Sequence, residues 1–494
     1  MYRSAIAGAA AVTVAAGLVL TSALAAHAAA GCRVTYAVTS QWQGGFGASV
    51  GVTNLGDPLT GWRLTWSFTA GQTITQLWNG TAAQAGAQVT VVNAGWNGGL
   101  GTGGGVDVGF NGTWTGGNPA PAGFALNGVA CTGSTTPTTG PTTAPTSGAP
   151  TSVLDQAGTP SRVRVAGAGV QYTWPGTYFE GRFRGTGVGL ILNDSNNDYV
   201  VQVDGSTVAT LVTPGQTTYW VRNLTNGDHT VRLAKRTESQ WAVGEFDGLV
   251  ADSGGAILAK PVARTRQMEF IGDSWTAGYG DLSATRDCNT NGGVTRNTDA
   301  DVSFGALTAK ALNADYQINA WSGLGLVRNY NGQNPGYDFR TYYDSDLQAV
   351  YNSQTWQVPG TWRPQVIVIG LGINDFSTAL NSGERWTTID QLAAAYRTAY
   401  LAFIDKLRTR YGAGAFIVLT YPDLSYQTTA FADSVQQIVK TRNDAGDARV
   451  SALYYDNTAL GLDLLGCDWH PSQHDHQILA NAIAQHLATL PLTW

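Results

Sequence analysis

At 494 residues the chain is longer than one ordinary domain, so two or three are expected. Lysine and arginine number 28 against 34 acidic residues, a net charge of −6, and charged residues make up only 13% of the chain. No basic patch stands out along the chain, which argues against a nucleic-acid partner. The surface is left to Gly, Thr, Ser, Asn and Gln, with 16 Trp and 20 Tyr besides, a mixture suited to a neutral, hydroxylated ligand such as a sugar polymer.

The first 28 residues read as a secretory signal peptide: Arg3, an apolar run from Ala5 to Leu20, then the small-residue site Ala26-His27-Ala28. No other stretch is long and apolar enough to span a bilayer, so a secreted, extracellular protein without a membrane partner is expected. The minor alternative is a lipoprotein processing site at Ala30-Gly31-Cys32, where Ala29 stands in place of the usual bulky aliphatic residue. The four cysteines, Cys32, Cys131, Cys288 and Cys467, are even in number and lack the C-x-x-C spacing of a zinc site. Pairing within each half is the simplest assignment, although spacing alone leaves the connectivity open.

Residues 31–132 alternate apolar and polar in short runs such as Gly61-Trp62-Arg63-Leu64-Thr65-Trp66-Ser67-Phe68, separated by Gly- and Asn-rich turns. This is the pattern of an antiparallel β-sandwich. Trp62 and Trp66 fit its core. Trp42, Trp78 and Trp96 break the alternation and have Gly, Asn and Gln neighbours, which predicts exposed aromatic faces on which glucose rings stack. On these residues the segment resembles a family 2 carbohydrate-binding module of the three-tryptophan, cellulose-binding kind. The resemblance implies a binding face of Trp42, Trp78 and Trp96, a disulfide Cys32–Cys131, and cellulose as partner.

Residues 133–152, GSTTPTTGPTTAPTSGAPTS, hold no side chain large enough for a core, and their prolines keep the chain extended. This is a linker. Residues 153–262 again alternate as strands, in Arg182–Leu190 and in Tyr199–Gly205 with its Asp204-Gly205 turn signal. A second β-sandwich is expected there, serving as packing partner or substrate wall. His229 reads as part of the turn Asn226-Gly227-Asp228.

From residue 263 the periodicity changes. Apolar strands at Met268–Ile271, Val366–Ile369, Phe416–Leu419 and Val450–Tyr454 alternate with helical patterns, among them Leu392, Tyr396, Ala399, Phe403 and Leu407 at 3.6-residue spacing. A three-layer α/β domain with a parallel sheet follows, its site at the carboxyl ends of the strands. Four blocks fall at such ends: Gly272-Asp273-Ser274, Asn319 to Gly323, Gly372-Ile373-Asn374-Asp375, and Asp468-Trp469-His470 before a helix started by Ser472.

The chemistry needs each of them. A serine hydroxyl is a poor nucleophile until a base takes its proton, and His470 supplies that base for Ser274. Asp468 is expected to hold the imidazole tautomer. The backbone N–H groups of Ser274 and Gly323 and the amide of Asn374 are the expected oxyanion donors. Asp273 is given only a turn-stabilising role, and Asp375 support of the Asn374 turn. His474 and His476 are expected on the surface of the last helix, without a metal.

Together the blocks resemble the SGNH (GDSL-type) hydrolases, and with the preceding β-sandwich they resemble carbohydrate esterase family 2. That resemblance implies removal of O-acetyl groups from plant polysaccharides, acetylated xylan or glucomannan, with no cofactor. Two departures stand out: one residue, not two, separates Asp468 from His470, and Trp275 replaces the leucine after the serine. Some family members manage without the acid, which puts the role of Asp468 in doubt. The alternatives are a GDSL-type lipase or short-chain esterase, and a non-catalytic wall-binding protein. A disulfide Cys288–Cys467 is expected to pin the histidine loop near the nucleophile.

Overall fold

The computed structural model describes residues 31–131 and 152–494, apart from 43, 96, 116, 290, 291 and 493; the side chains at 37, 39–42 and 122 are also outside the description. The expected signal peptide, nearly all of the linker, Trp96 and the Trp42 side chain therefore lie outside the described residues. Two compact units form, residues 1–145 and 146–494.

The first unit is a sandwich of two antiparallel sheets. One runs in the order Cys32–Trp42, Gly45–Asn54, Gly105–Thr113, Thr73–Trp78. The other runs Gly80–Ala85, Gln88–Asn93, Arg63–Ser67, Ala122–Leu126, Val129–Ala130. Alternation along each strand sends Val50, Val52, Leu64, Trp66, Val89 and Phe110 between the sheets, all essentially inaccessible. A disulfide joins Cys32 to Cys131.

The second unit holds another antiparallel sandwich and an α/β layer structure. The sandwich encloses Tyr172, Phe179, Phe183, Leu190, Val201 and Phe246. His229 lies in the strand Gly227–Lys235 and not in a turn: Phe183 stacks on its ring, and Asp204 and the Thr225 carbonyl take its two nitrogens at 2.7 Å. Polar groups fasten this sandwich to the α/β part. Arg162, fully buried, reaches Glu269 at 3.0 Å, Tyr178 donates to Asp315 at 2.9 Å, and Arg232 grips Asp301 with both guanidinium nitrogens. Removing one member of such a buried pair strands the other's charge, so these contacts resist separation of the two parts.

The parallel sheet has five strands: β1 Gln267–Gly272, β2 Asp315–Ala320, β3 Val366–Gly370, β4 Phe416–Pro422 and β5 Val450–Tyr455. Their order is β2-β1-β3-β4-β5, with every pairing parallel. β1 to β4 are buried along nearly their whole length because helices cover both faces. On one face lie Ile389–Tyr411 and Thr428–Asp444; the first turns Leu392, Tyr396, Ala399, Phe403 and Leu407 inward, as the spacing predicts. On the other lie Phe304–Ala311 and Gln473–Ala488. Among the described residues no helix is long and apolar enough to cross a membrane.

Candidate active site

Ser274 follows β1 as the first residue of a single helical turn. Asp273 accepts from Trp275 N at 3.2 Å, capping that turn, and Gly278 ends it in the left-handed region at φ +73°. Trp275 enters the core under the turn, so a large apolar side chain is tolerated where leucine is expected. The Ser274 hydroxyl lies 2.8 Å from His470 Nε2.

His470 sits in the loop before the helix Gln473–Ala488, whose start is a capping box between Ser472 and Asp475. Four attachments bring this loop to the serine. Cys467 is bonded to Cys288, Cys467 N donates to Gly280 O at 3.2 Å, Asp468 N to Arg286 O at 2.9 Å, and Gln473 N to Asp281 O at 2.9 Å. Between them Asp468 and Trp469 both take left-handed backbone, φ +53° and +62°, an uncommon choice for such residues and a costly one. The tight reversal returns the Cys467 carbonyl to the ring, 2.8 Å from His470 Nδ1.

The group at Nδ1 is thus a backbone carbonyl where the Asp468 carboxylate is expected. That carboxylate accepts the Tyr279 hydroxyl at 3.0 Å, while the Tyr279 ring lies against the imidazole, centroids 4.4 Å apart. A carbonyl oxygen only accepts, so Nδ1 carries the hydrogen and Nε2 is left with the lone pair that faces Ser274. The tautomer is thus set by backbone. Burial pulls the His470 pKa below its ordinary value, partly offset by the carbonyls of residues 467 and 468 and by the Asp468 charge. A neutral base then persists to lower pH. The acid limb of kcat/KM is expected to have its midpoint below the ordinary histidine value of about 6.5; a midpoint above it in a pH–rate series would contradict this.

Asn374 is the second residue of the helical turn Ile373–Phe376 after β3, and its amide nitrogen donates to Asp273 Oδ2 at 3.2 Å and to Leu324 O at 3.0 Å. One side chain thereby joins the neighbour of Ser274 to the neighbour of Gly323. Gly323 takes φ +83° in the turn after β2, and neither its N–H nor that of Ser274 is taken up by an acceptor among the described residues. Asp375 does more than support its own turn: its carboxylate accepts from the N–H groups of Leu326, Val327 and Arg328 at 2.8 to 2.9 Å, tying β3's turn to the loop beyond Gly323. Asp273 also has a second contact, to Asn374, that a turn role does not suggest. Burial, with Asp375 nearby, pushes its carboxyl up to about 8.

His474 is exposed as expected, but His476 is fully buried, with Nδ1 accepting from Phe304 N at 3.1 Å. Helical period explains the difference, since 476 shares its face with Leu479, Ala480, Ile483 and Leu487. Among the described residues Asp463, His474 and Asp475 bring ligand-type atoms within 4.8 Å. Asp475 already accepts from Asp463 N and Leu464 N, which accounts for it as a loop anchor.

In the first unit Trp62 and Trp66 are buried and Trp78 is 44% exposed. Trp78 ends its strand opposite Gly109, where a Cβ would meet the indole at 2.2 Å, so the glycine lets the ring lie flat against the sheet.

Comparison with known proteins fits these three parts. Residues 32–131 match the cellulose binding domain, 162–261 the N-terminal domain of carbohydrate esterase 2, and 268–483 the GDSL-like lipase/acylhydrolase family. An acetylxylan esterase / glucomannan deacetylase of Cellvibrio japonicus is 40% identical over 327 residues, 65% of this chain and 86% of that protein. The chain belongs to carbohydrate esterase family 2. A solved carbohydrate esterase, whose active site is described as having divergent catalytic and non-catalytic binding functions, superposes on this family 2 esterase with a TM-score of 0.62 at 39% identity. That match covers 68% of this chain and 98% of the solved one. Endoglucanase A of Cellulomonas fimi is 66% identical over 115 residues, 23% of this chain and 25% of that protein. This family 2 esterase is therefore a serine ester hydrolase joined to a cellulose-type binding domain.

Proposed function

We propose that the enzyme is secreted and removes acetyl groups from acetylated xylan or glucomannan while its N-terminal module holds it on cellulose. The observation that carries this reading is the 2.8 Å contact of Ser274 Oγ with His470 Nε2, on a family 2 scaffold with a cellulose-type module attached. Ser274 Oγ attacks the acetyl carbonyl and passes its proton to His470 Nε2. The tetrahedral intermediate's negative oxygen is received by Ser274 N, Gly323 N and the Asn374 amide, the last giving up its longer contact to Asp273. The sugar oxygen leaves with the proton from His470. Water, deprotonated by the same nitrogen, then attacks the acetyl-serine, and acetate departs as Ser274 recovers its hydrogen.

Acetate release from acetylated xylan and acetylated glucomannan tests the substrate class; release from neither, with a simple acetyl ester still cleaved, would sink it. Targeting is tested separately on Trp42, Trp78 and Trp96. Trp78→Ala is expected to lower the cellulose-bound fraction in pull-down several-fold, because an exposed ring supplies stacking area no small side chain replaces. A triple alanine variant that still sediments with cellulose would place the binding face elsewhere.

A further inference from the structure

Between the sandwich strands Gly227–Lys235 and Gly244–Ala251 the chain leaves the β-sandwich and docks on the α/β part. Arg236 pairs with Asp299 at 3.1 Å, and the Gln240 carbonyl accepts from Ala349 N at 3.1 Å. Trp241 packs edge-on against Trp321, ring centroids 5.5 Å apart. Glu238, in the middle of this loop, reaches the turn after β2. Its Oε1 accepts the Ser322 backbone N–H at 3.0 Å, and its Oε2 accepts the Ser322 hydroxyl. Gln240 Nε2 steadies Oε1 from the other side at 3.0 Å.

Ser322 is the residue before Gly323. Held at both its N–H and its hydroxyl by one carboxylate, it has little freedom in φ or χ1, which fixes the carbonyl carbon from which the peptide carrying Gly323 N–H departs. Gly323 itself supplies no such restraint: it has no Cβ, and nothing lies within 4 Å of where one would be. Its carbonyl is anchored downstream by Tyr330 N at 2.9 Å, and Leu324 N closes the turn on Trp321 O at a long 3.3 Å. The Ser322 contacts add the side-chain restraint on the upstream side. Hydrogen bonds weaken steeply with angle, and oxyanion donors accelerate a reaction only when aimed in advance.

We propose that Glu238 is a positioning residue for the oxyanion turn, so that the β-sandwich domain contributes directly to the rate of ester cleavage. The proposal rests on Gly323 N–H being an oxyanion donor, as read above. It assigns the sandwich a part in the chemistry beyond walling the cleft.

The test uses the full chain and a small soluble acetyl ester, so that sugar contacts do not enter. Glu238→Ala is expected to lower kcat about 10- to 100-fold with KM within about twofold of the parent. Glu238→Gln, which keeps an acceptor for Ser322 N–H, is expected to recover most of that loss. Inactivation by an organophosphate, which is also attacked by Ser274 and also develops charge on an oxygen in the same site, should slow in parallel in the Ala variant. Unchanged kcat in Glu238→Ala, or a loss confined to KM, overturns the proposal. Should the Ala variant fail to fold, Ser322→Ala decides: a several-fold kcat loss supports the assignment and an unchanged kcat sinks it. Ser274→Ala, run beside these, separates the two levels. An active Ser274→Ala enzyme removes the underlying mechanism, whereas an inert one beside a normal Glu238→Ala enzyme removes only the role of Glu238.

Discussion

Ser274→Ala and His470→Ala are each expected to lower kcat on an acetyl ester by about 10³-fold or more, and the double variant is expected to be little worse than either. The two side chains act as one unit: without the imidazole the hydroxyl keeps its proton, and without the hydroxyl the imidazole has nothing to activate. The unit here ends at a backbone carbonyl, since Cys467 O, not Asp468, faces His470 Nδ1. Asp468→Ala should therefore cost far less than His470→Ala, below about 10-fold, through loosening of the Tyr279 ring that rests on the imidazole. Steady-state kinetics on one ester compare all four proteins. Asp468→Ala falling as far as His470→Ala would mean that the carboxylate does orient the base during turnover. A His470→Ala enzyme near the parental kcat would end the dyad altogether and redirect the search for a base.

Asn374→Ala is expected to lower kcat by about 10²- to 10³-fold while KM moves little, because a donor that matters chiefly in the transition state is lost while the nucleophile remains. The side chain has a second duty, joining Asp273 to the Leu324 carbonyl, so the variant also loosens the link between the serine turn and the Gly323 turn. Both structural contacts are donated by the amide nitrogen, so the carboxylate of Asn374→Asp makes neither and is expected to cost at least as much as alanine. A kcat near the parental value in either variant would remove Asn374 from the oxyanion site.

Much of the site is legible in the order of the residues. Ser274 and Asn374 each follow an apolar run long enough for a buried strand. Gly323 follows the half-polar strand Asp315–Ala320, marked only by its short apolar centre at Ile318, and parallel strands present their following turns at one edge. The capping pair Ser472 and Asp475 likewise marks the last helix and sets His470 just before it. The carbonyl that orients the imidazole is not legible, because every residue has a carbonyl and none leaves a trace in residue type. Asp468 is suitable by spacing alone, and the left-handed backbone at 468 and 469 turns it outward. His476 departs from expectation for a different reason: near a helix start, one position decides between solvent and core, and a histidine is compatible with both.

The order of the parts and the residues of the candidate site come from the sequence alone, since periodicity, turn residues and strand-end motifs are local and are written in neighbouring letters. The exposure of Trp78 likewise follows from its Gly, Asn and Gln surroundings. Which groups meet is a matter of tertiary packing. Glu238 and Ser322 are 84 positions apart and lie in different domains, Tyr279 and Asp468 are 189 apart, and Ser274 and His470 are 196 apart. Hydrogen bonds of that kind depend on ångström-scale placement after two sheets, a disulfide and a polar domain interface have packed together. No local pattern carries that information, because the energy that selects each contact comes from the whole packed arrangement and not from the residues on either side of it.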